Sequence, residues 1–219
     1  MKKIISVIFA LLLFCACLAE DERTAPSLVS VGTARKQDTS FVSLTAAEAA
    51  AFMELEDACQ VSDYAMIISA KSLSLSFDEN GSAVCTLNGE YGIYGLELSD
   101  YEGADEIEAT LAKDVPESLM LCAARPISLA WTSNFTPAPF DIKLGDSFNT
   151  LLSVLNIGGI TEDGRLLSPE DETKQIGTFY YGEDDTNIIS LDFSGEDYIV
   201  TLTYTIKDGA VVLIELKLG

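Results

Sequence analysis

The pattern of apolar and polar positions changes period several times along the chain, most clearly between Phe140 and Leu155. Phe140, Ile142 and Leu144 alternate with Asp141 and Lys143. That period of two predicts a strand with one apolar face. Gly145 breaks the run, and Asp146 or Ser147 can accept from the free N–H groups that open a helix. Phe148, Leu151, Leu152 and Leu155 then follow at i, i+3, i+4 and i+7, one helical face. Asn156 and Gly158-Gly159 stop it. A helix of this length spans roughly 15 Å and does not persist alone, so its apolar face must lie on a sheet.

A weaker version of the pattern occurs at Tyr94-Gly95-Leu96-Glu97-Leu98-Ser99-Asp100, followed by a helix candidate over Ala104–Lys113 with Ile107 and Leu111 as its apolar pair. The two stretches read as degenerate tandem repeats, or as unrelated strand-turn-helix units that share a common pattern. Elsewhere, Thr45 and Glu48 form a capping box, and an alanine-rich helix runs on toward Cys59. Leu73, Leu75 and Phe77 alternate with serines, Asp78–Gly81 reads as a turn, and Ala83–Leu87 as the return strand. Asn88-Gly89 carries the signature of a tight hairpin turn with positive φ at both positions. Ile127–Trp131 is a strand, and Thr132–Pro139 a loop. Ser168-Pro169-Glu170-Asp171-Glu172 allows one or two helical turns. A meander closes the chain: 179–182, 187–193, 198–206 and 210–218, with Lys207-Asp208-Gly209 as its last turn. In its third strand Leu202, Tyr204 and Ile206 oppose Thr201, Thr203 and Thr205, which is the alternation of an antiparallel sheet covered on one face and wet on the other. The expected fold class is α+β: antiparallel sheet with short covering helices.

The first residues give an address. Lys2 and Lys3 precede an apolar run from Ile4 to Phe14, the form of an export signal over residues 1–19. That run is short for a membrane span. Phe14-Cys15-Ala16-Cys17 resembles a bacterial lipobox, which implies acylation of Cys17 and a protein held on the extracytoplasmic face of the cell membrane. The alternative is cleavage after Ala19 and secretion. Residues 20–40 are polar and aperiodic, a tether with a mean reach of roughly 25 Å. Residues 41–131 and 132–219 form the two α+β repeats of this scheme.

Charge and chemistry narrow the function. With 13 basic and 35 acidic residues the net charge is −22, and loss of the signal lysines deepens it by two. Such a chain repels nucleic-acid phosphates and suits solubility or a partner with a basic surface. There is no histidine, which removes Ser-His-Asp and Cys-His catalysis and every histidine metal site. Gly145-Asp146-Ser147-Phe148 matches the nucleophile motif of GDS-type lipases and esterases, but without a histidine base its serine is a poor nucleophile, and a turn plus helix cap explains it. Glu183–Asn187 is an acidic loop without EF-hand spacing. Trp131, Phe135 and Phe140 border a proline-containing loop and read as core packing rather than a contact patch. Cys59, Cys85 and Cys122 fit no metal spacing. One pair can oxidise after export, with Cys85 the best candidate for a buried core thiol. No catalytic residue, cofactor or metal site is assigned.

The strand-Gly-Asp-Ser-helix at 142–155, together with the meander closing through Lys207-Asp208-Gly209 and Val211–Leu218, weakly resembles the small α+β module of outer-membrane-assembly accessory lipoproteins and β-lactamase-inhibitor-like proteins. The resemblance covers about 80 residues. It implies a module that binds other proteins and has no catalytic residues to carry over. The expectation is a non-catalytic, membrane-tethered binding or scaffold protein. An exported carboxylate-dependent hydrolase of glycosidase type, or an extracellular ligand-binding protein, are the alternatives.

Overall fold

The computed structural model describes residues 49, 59–67, 69–182, 184–194 and 198–219. The lipobox-like stretch with Cys17, the expected tether and nearly all of the expected alanine-rich helix lie outside them; only Ala49 is described there, helical and buried. Twelve strands form one antiparallel sheet. In chain order they are β1 (Cys59–Gln60), β2 (Ser72–Phe77), β3 (Ala83–Asn88), β4 (Gly92–Ser99), β5 (Ile107–Ala109), β6 (Ala123–Trp131), β7 (Gly159–Ile160), β8 (Arg165–Leu167), β9 (Gln175–Tyr181), β10 (Thr186–Ser194), β11 (Ile199–Lys207) and β12 (Ala210–Leu218). Besides the helical Ala49, the described residues hold three α-helices: α1 (Val61–Ile67), α2 (Glu117–Met120) and α3 (Phe148–Leu155). The α+β expectation therefore holds only in its coarse part, a sheet with few short helices, and the fold is mainly β.

The strand order is β5-β2-β3-β4-β6-β12-β11-β10-β9-β8-β7, with β1 added at the start of β6. The long strand β6 joins the two halves. Its partner on one side is β4 along its length, and on the other it pairs with β12 at residues 128–131 and with β1 at 123–124. The sheet ends on β5 and β7, strands too short to template pairing with another chain.

One face of this sheet is apolar from side to side. Leu73, Leu87, Tyr94, Leu129, Leu216, Leu202 and Leu191 follow one another as paired residues across seven strands. A bulge at Ile127 keeps Ala124 and Pro126 on the same face as Leu129 and Trp131. Helices cover that face in two clusters. Val61 and Tyr64 of α1, with Leu119 of α2, lie over the β2–β4 side. Leu151 and Leu155 of α3 lie over β6 and β9–β12, and both are fully buried. Tyr94 packs against both clusters.

Local signals hold at α3. The Ser147 hydroxyl accepts from Thr150 N–H at 3.1 Å, and Asn156 ends the helix in the left-handed region at φ 55°. The last hairpin also forms as the pattern predicts, with positive φ at Asp208 and Gly209. At the Asp78 turn, the Asp78 carboxylate accepts from the N–H groups of Asn80 and Ser82.

Four expectations are corrected. Phe140–Leu144 is no strand: Pro139–Asp141 forms a 3₁₀ turn, and Phe140 and Asp141 both take left-handed φ, 63° and 57°. Proline lacks the N–H that a ladder needs, and Leu144 is paired by a side chain instead. Asn134 accepts from its N–H at 2.7 Å and donates to its carbonyl at 2.9 Å. Ala104–Lys113 is no helix, because Ile107–Ala109 is taken up as β5 on the edge of β2. Ser168–Glu172 turns without helix, the Ser168 hydroxyl accepting from Glu170 N–H. Asn88-Gly89 lies in a hairpin, but Asn88 still pairs with Ile93 and the connection is closed by Gly89 N–H on the Gly92 carbonyl. Neither residue needs positive φ in this wider turn.

Candidate functional site

The face opposite the helices is the largest candidate. Among the described residues it carries short polar side chains on its central strands: Ser74, Thr86, Ser128, Thr201, Thr203 and Ser190 are all partly exposed. They are polar because they point away from the covered face, and small because neighbouring strands crowd them. Ser128 lies so close over Gly95 that a side chain there would collide with its hydroxyl. Ser190 and Thr203 hydroxyls are 3.3 Å apart, and Thr201 donates to Asp192 at 2.7 Å. Arg125 and Glu97 form an exposed ion pair at 2.8 Å, an arrangement that contributes little to stability.

Among the described residues, two of the concavities adjoin the sheet. One, of about 180 Å³, lies under the loop from Ser133 to Lys143 and is floored by Trp131 and Ile214. Its loop is closed by the Asn134 amide and by Trp131 Nε1, which donates to the Pro137 carbonyl at 3.2 Å. The other is a shallow groove of about 550 Å³ between Phe77, Tyr101, Asp100, Glu97 and Arg125, where the Phe77 and Tyr101 rings lie 6.2 Å apart.

The aromatic trio separates. Trp131 is buried and Phe140 half-buried, as core packing requires, whereas Phe135 is 75% exposed and stacks on Tyr91 at 4.5 Å. The loop length gave a signal for this, since a loop of that size leaves room for an outward ring, but no pattern singles out which of the three it is.

The other candidate residues fall in scattered places. Ser147 is engaged as the cap of α3, with Thr150 Oγ1 2.9 Å from its hydroxyl. Asp184 and Asp185 of the acidic loop sit in left-handed conformation in the β9–β10 turn. Among the described residues no group of three or more cysteine or acidic side chains is placed to hold a metal ion. The carboxyls of Asp163 and Asp171 are both held below the usual carboxylate pKa, through hydrogen bonds from Thr161 and Thr173 respectively; a glycosidase acid needs its pKa raised instead. Cys85 and Cys122 are buried in the cluster under α1 and α2, and Cys59 packs against it. Burial, followed by the nearby Cys122, pushes the Cys85 thiol up to about 12, which makes it inert as a nucleophile. Among the described residues no helix is long and apolar enough to cross a membrane.

No family model, no curated protein and no solved structure matches this chain.

Proposed function

We propose that this is an exported lipoprotein, tethered to the extracytoplasmic face of the membrane through Cys17, that serves as a non-catalytic binding or scaffold module. What carries the reading is the sheet itself. Among the described residues its helices lie on one face, and its other face is broad, with partly exposed side chains. A surface of that shape suits a macromolecule better than a small substrate, which needs a concave and largely enclosed site. The net charge of −22 favours a protein partner with a basic surface and disfavours nucleic acid.

The test has two parts. Metabolic labelling with an alkynyl fatty acid should mark the wild-type chain and not Cys17→Ser, and the variant should leave the membrane fraction. The full chain, purified with its anchor in detergent, should then recover one partner in near-equal amount from solubilised envelope, with release by salt. Recovery of nothing beyond a charge-matched control protein would end the binding reading. The groove between Phe77 and Tyr101 favours a second reading, an extracellular ligand-binding protein. Its aromatic pair beside the Arg125–Glu97 ion pair combines an apolar wall with hydrogen-bonding groups, and a screen of soluble sugars and amino acids by thermal shift would test it.

A further inference from the structure

The open face is not uniformly polar. Its outermost row, at the end of the sheet where β11 turns into β12, carries large apolar side chains interrupted by Thr205 and Thr132. Tyr180 of β9 lies opposite Ile188 of β10, Ile188 opposite Thr205 of β11, and Thr205 opposite Leu213 of β12. Ile214 pairs with Trp131 at the end of β6, so Leu213 lies level with Thr132, whose N–H donates to the Tyr91 carbonyl. Tyr91, with Phe135 stacked on it, ends the row on the β4 side. Six strands at about 4.8 Å make this a stripe on the order of 24 Å long. Its side chains stand out from the sheet: Phe135 is 75%, Tyr180 64% and the bulged Val212 48% exposed. The next row inward is Thr178, Ser190, Thr203 and Glu215 on β9–β12, and Ala130 and Ile93 on β6 and β4, so the stripe has a polar border over β9–β12.

The turns at this same end are acidic. Glu90 lies in the β3–β4 turn, Asp184 and Asp185 in the β9–β10 turn and Asp208 in the β11–β12 turn, all exposed; the exposed lysines at this end are Lys71, Lys143 and Lys207. None of these apolar side chains is fully buried, and partly exposed apolar side chains beside turns rich in acid mark a recognition surface.

We infer that this stripe is the docking surface of the binding module, and that its partner is a protein surface presenting aliphatic side chains flanked by lysine or arginine. The inference rests on the binding reading and adds to it a place and a partner chemistry. The exposed rings of Tyr180 and Phe135, at the two ends of the stripe, would carry most of the affinity. The acidic turns would set orientation and encounter rate, with a dependence on salt.

The probe is a fluorescein-labelled amphipathic peptide of lysine and leucine, with a glutamate–leucine and a lysine–serine peptide of the same length as controls, titrated against the full chain. The lysine–leucine peptide should bind at least tenfold more tightly than either control. Phe135→Ser and Tyr180→Ser should each weaken it about tenfold while leaving the thermal midpoint unchanged. Equal binding of the lysine–serine peptide, or no loss in either variant, overturns the inference. So does a concentration-dependent dimer, seen by sedimentation, that the two variants abolish, because the stripe would then belong to a second copy. The envelope capture separates the two levels of claim. A partner retained by both variants leaves the binding module standing and removes this surface, whereas a wild-type chain that captures nothing removes the module itself.

Discussion

Tyr94–Asp100 and Phe140–Asp146 carry nearly the same pattern, aromatic, aliphatic and leucine at alternate positions and aspartate at the end, yet only the first is a strand. In β4 the backbone is paired on both sides, by β3 and by β6. In the second stretch Pro139 and two left-handed residues turn the chain over the sheet instead. What the two share is facing. Leu96 and Leu98 are buried while Glu97 is not, and Ile142 is buried while Asp141 and Lys143 are exposed. Alternation therefore specifies which side chains go inward. Whether the backbone then joins a ladder depends on what lies beside it, because every N–H and C=O taken from water needs a partner, and the Asn134 amide supplies both for Leu144.

The strongest way to break this comparison is truncation of the matched inward residues. Leu96→Ala and Ile142→Ala should each cost about 2–5 kcal/mol in urea denaturation, despite the absence of a ladder at Ile142. A cost below about 1 kcal/mol at Ile142 alone would mean that burial without pairing contributes little there. Asn134→Ala comes next. It strips Leu144 of both partners, and with the site exposed to water the loss should be about 1–2 kcal/mol, with fast amide exchange at Leu144 and unchanged exchange in β4. Backbone preference gives a sign reversal of about 1 kcal/mol: Asp141→Gly relieves a left-handed residue and should stabilise, whereas Glu97→Gly in β4 should destabilise. In α3, which follows the second stretch, Ser153 is buried with a hydroxyl that finds no partner among the described atoms. Ser153→Ala should stabilise by about 1 kcal/mol, read from the thermal midpoint. The smallest effect at neutral pH is at Cys85, opposite Leu96. Its pKa is raised from 9.0 to about 12, so its contribution is fully present below pH 9 and is lost as pH rises from there through about 12. Cys85→Ala should make the alkaline limb of the stability curve shallower and leave the neutral value less changed.

Legibility followed the range of the interactions involved. The meander, the Ser147 cap and the Asp208-Gly209 turn were readable because each is decided by a few adjacent residues. Ile107 and Leu111 looked helical because a two-residue apolar pair cannot distinguish a helix from a three-residue edge strand, and the free edge of β2 resolved it in favour of β5. The docking stripe was unreadable for a related reason. Tyr91, Phe135, Tyr180, Ile188 and Leu213 come from separate stretches, and each alone is an ordinary strand or loop hydrophobe.

By itself, the sequence determined the acidic surface, the lack of histidine chemistry, the signal pattern around Cys17, and the inward or outward sense of most side chains. These depend on composition or on the period of a single segment. Only the tertiary structure decided that all the strands form one sheet, that its helices lie on one face, and that exposed aromatics line up on the other. Pairing partners and register join residues distant in the chain, and their choice is made by the competition among strands for backbone hydrogen bonds and a shared apolar face.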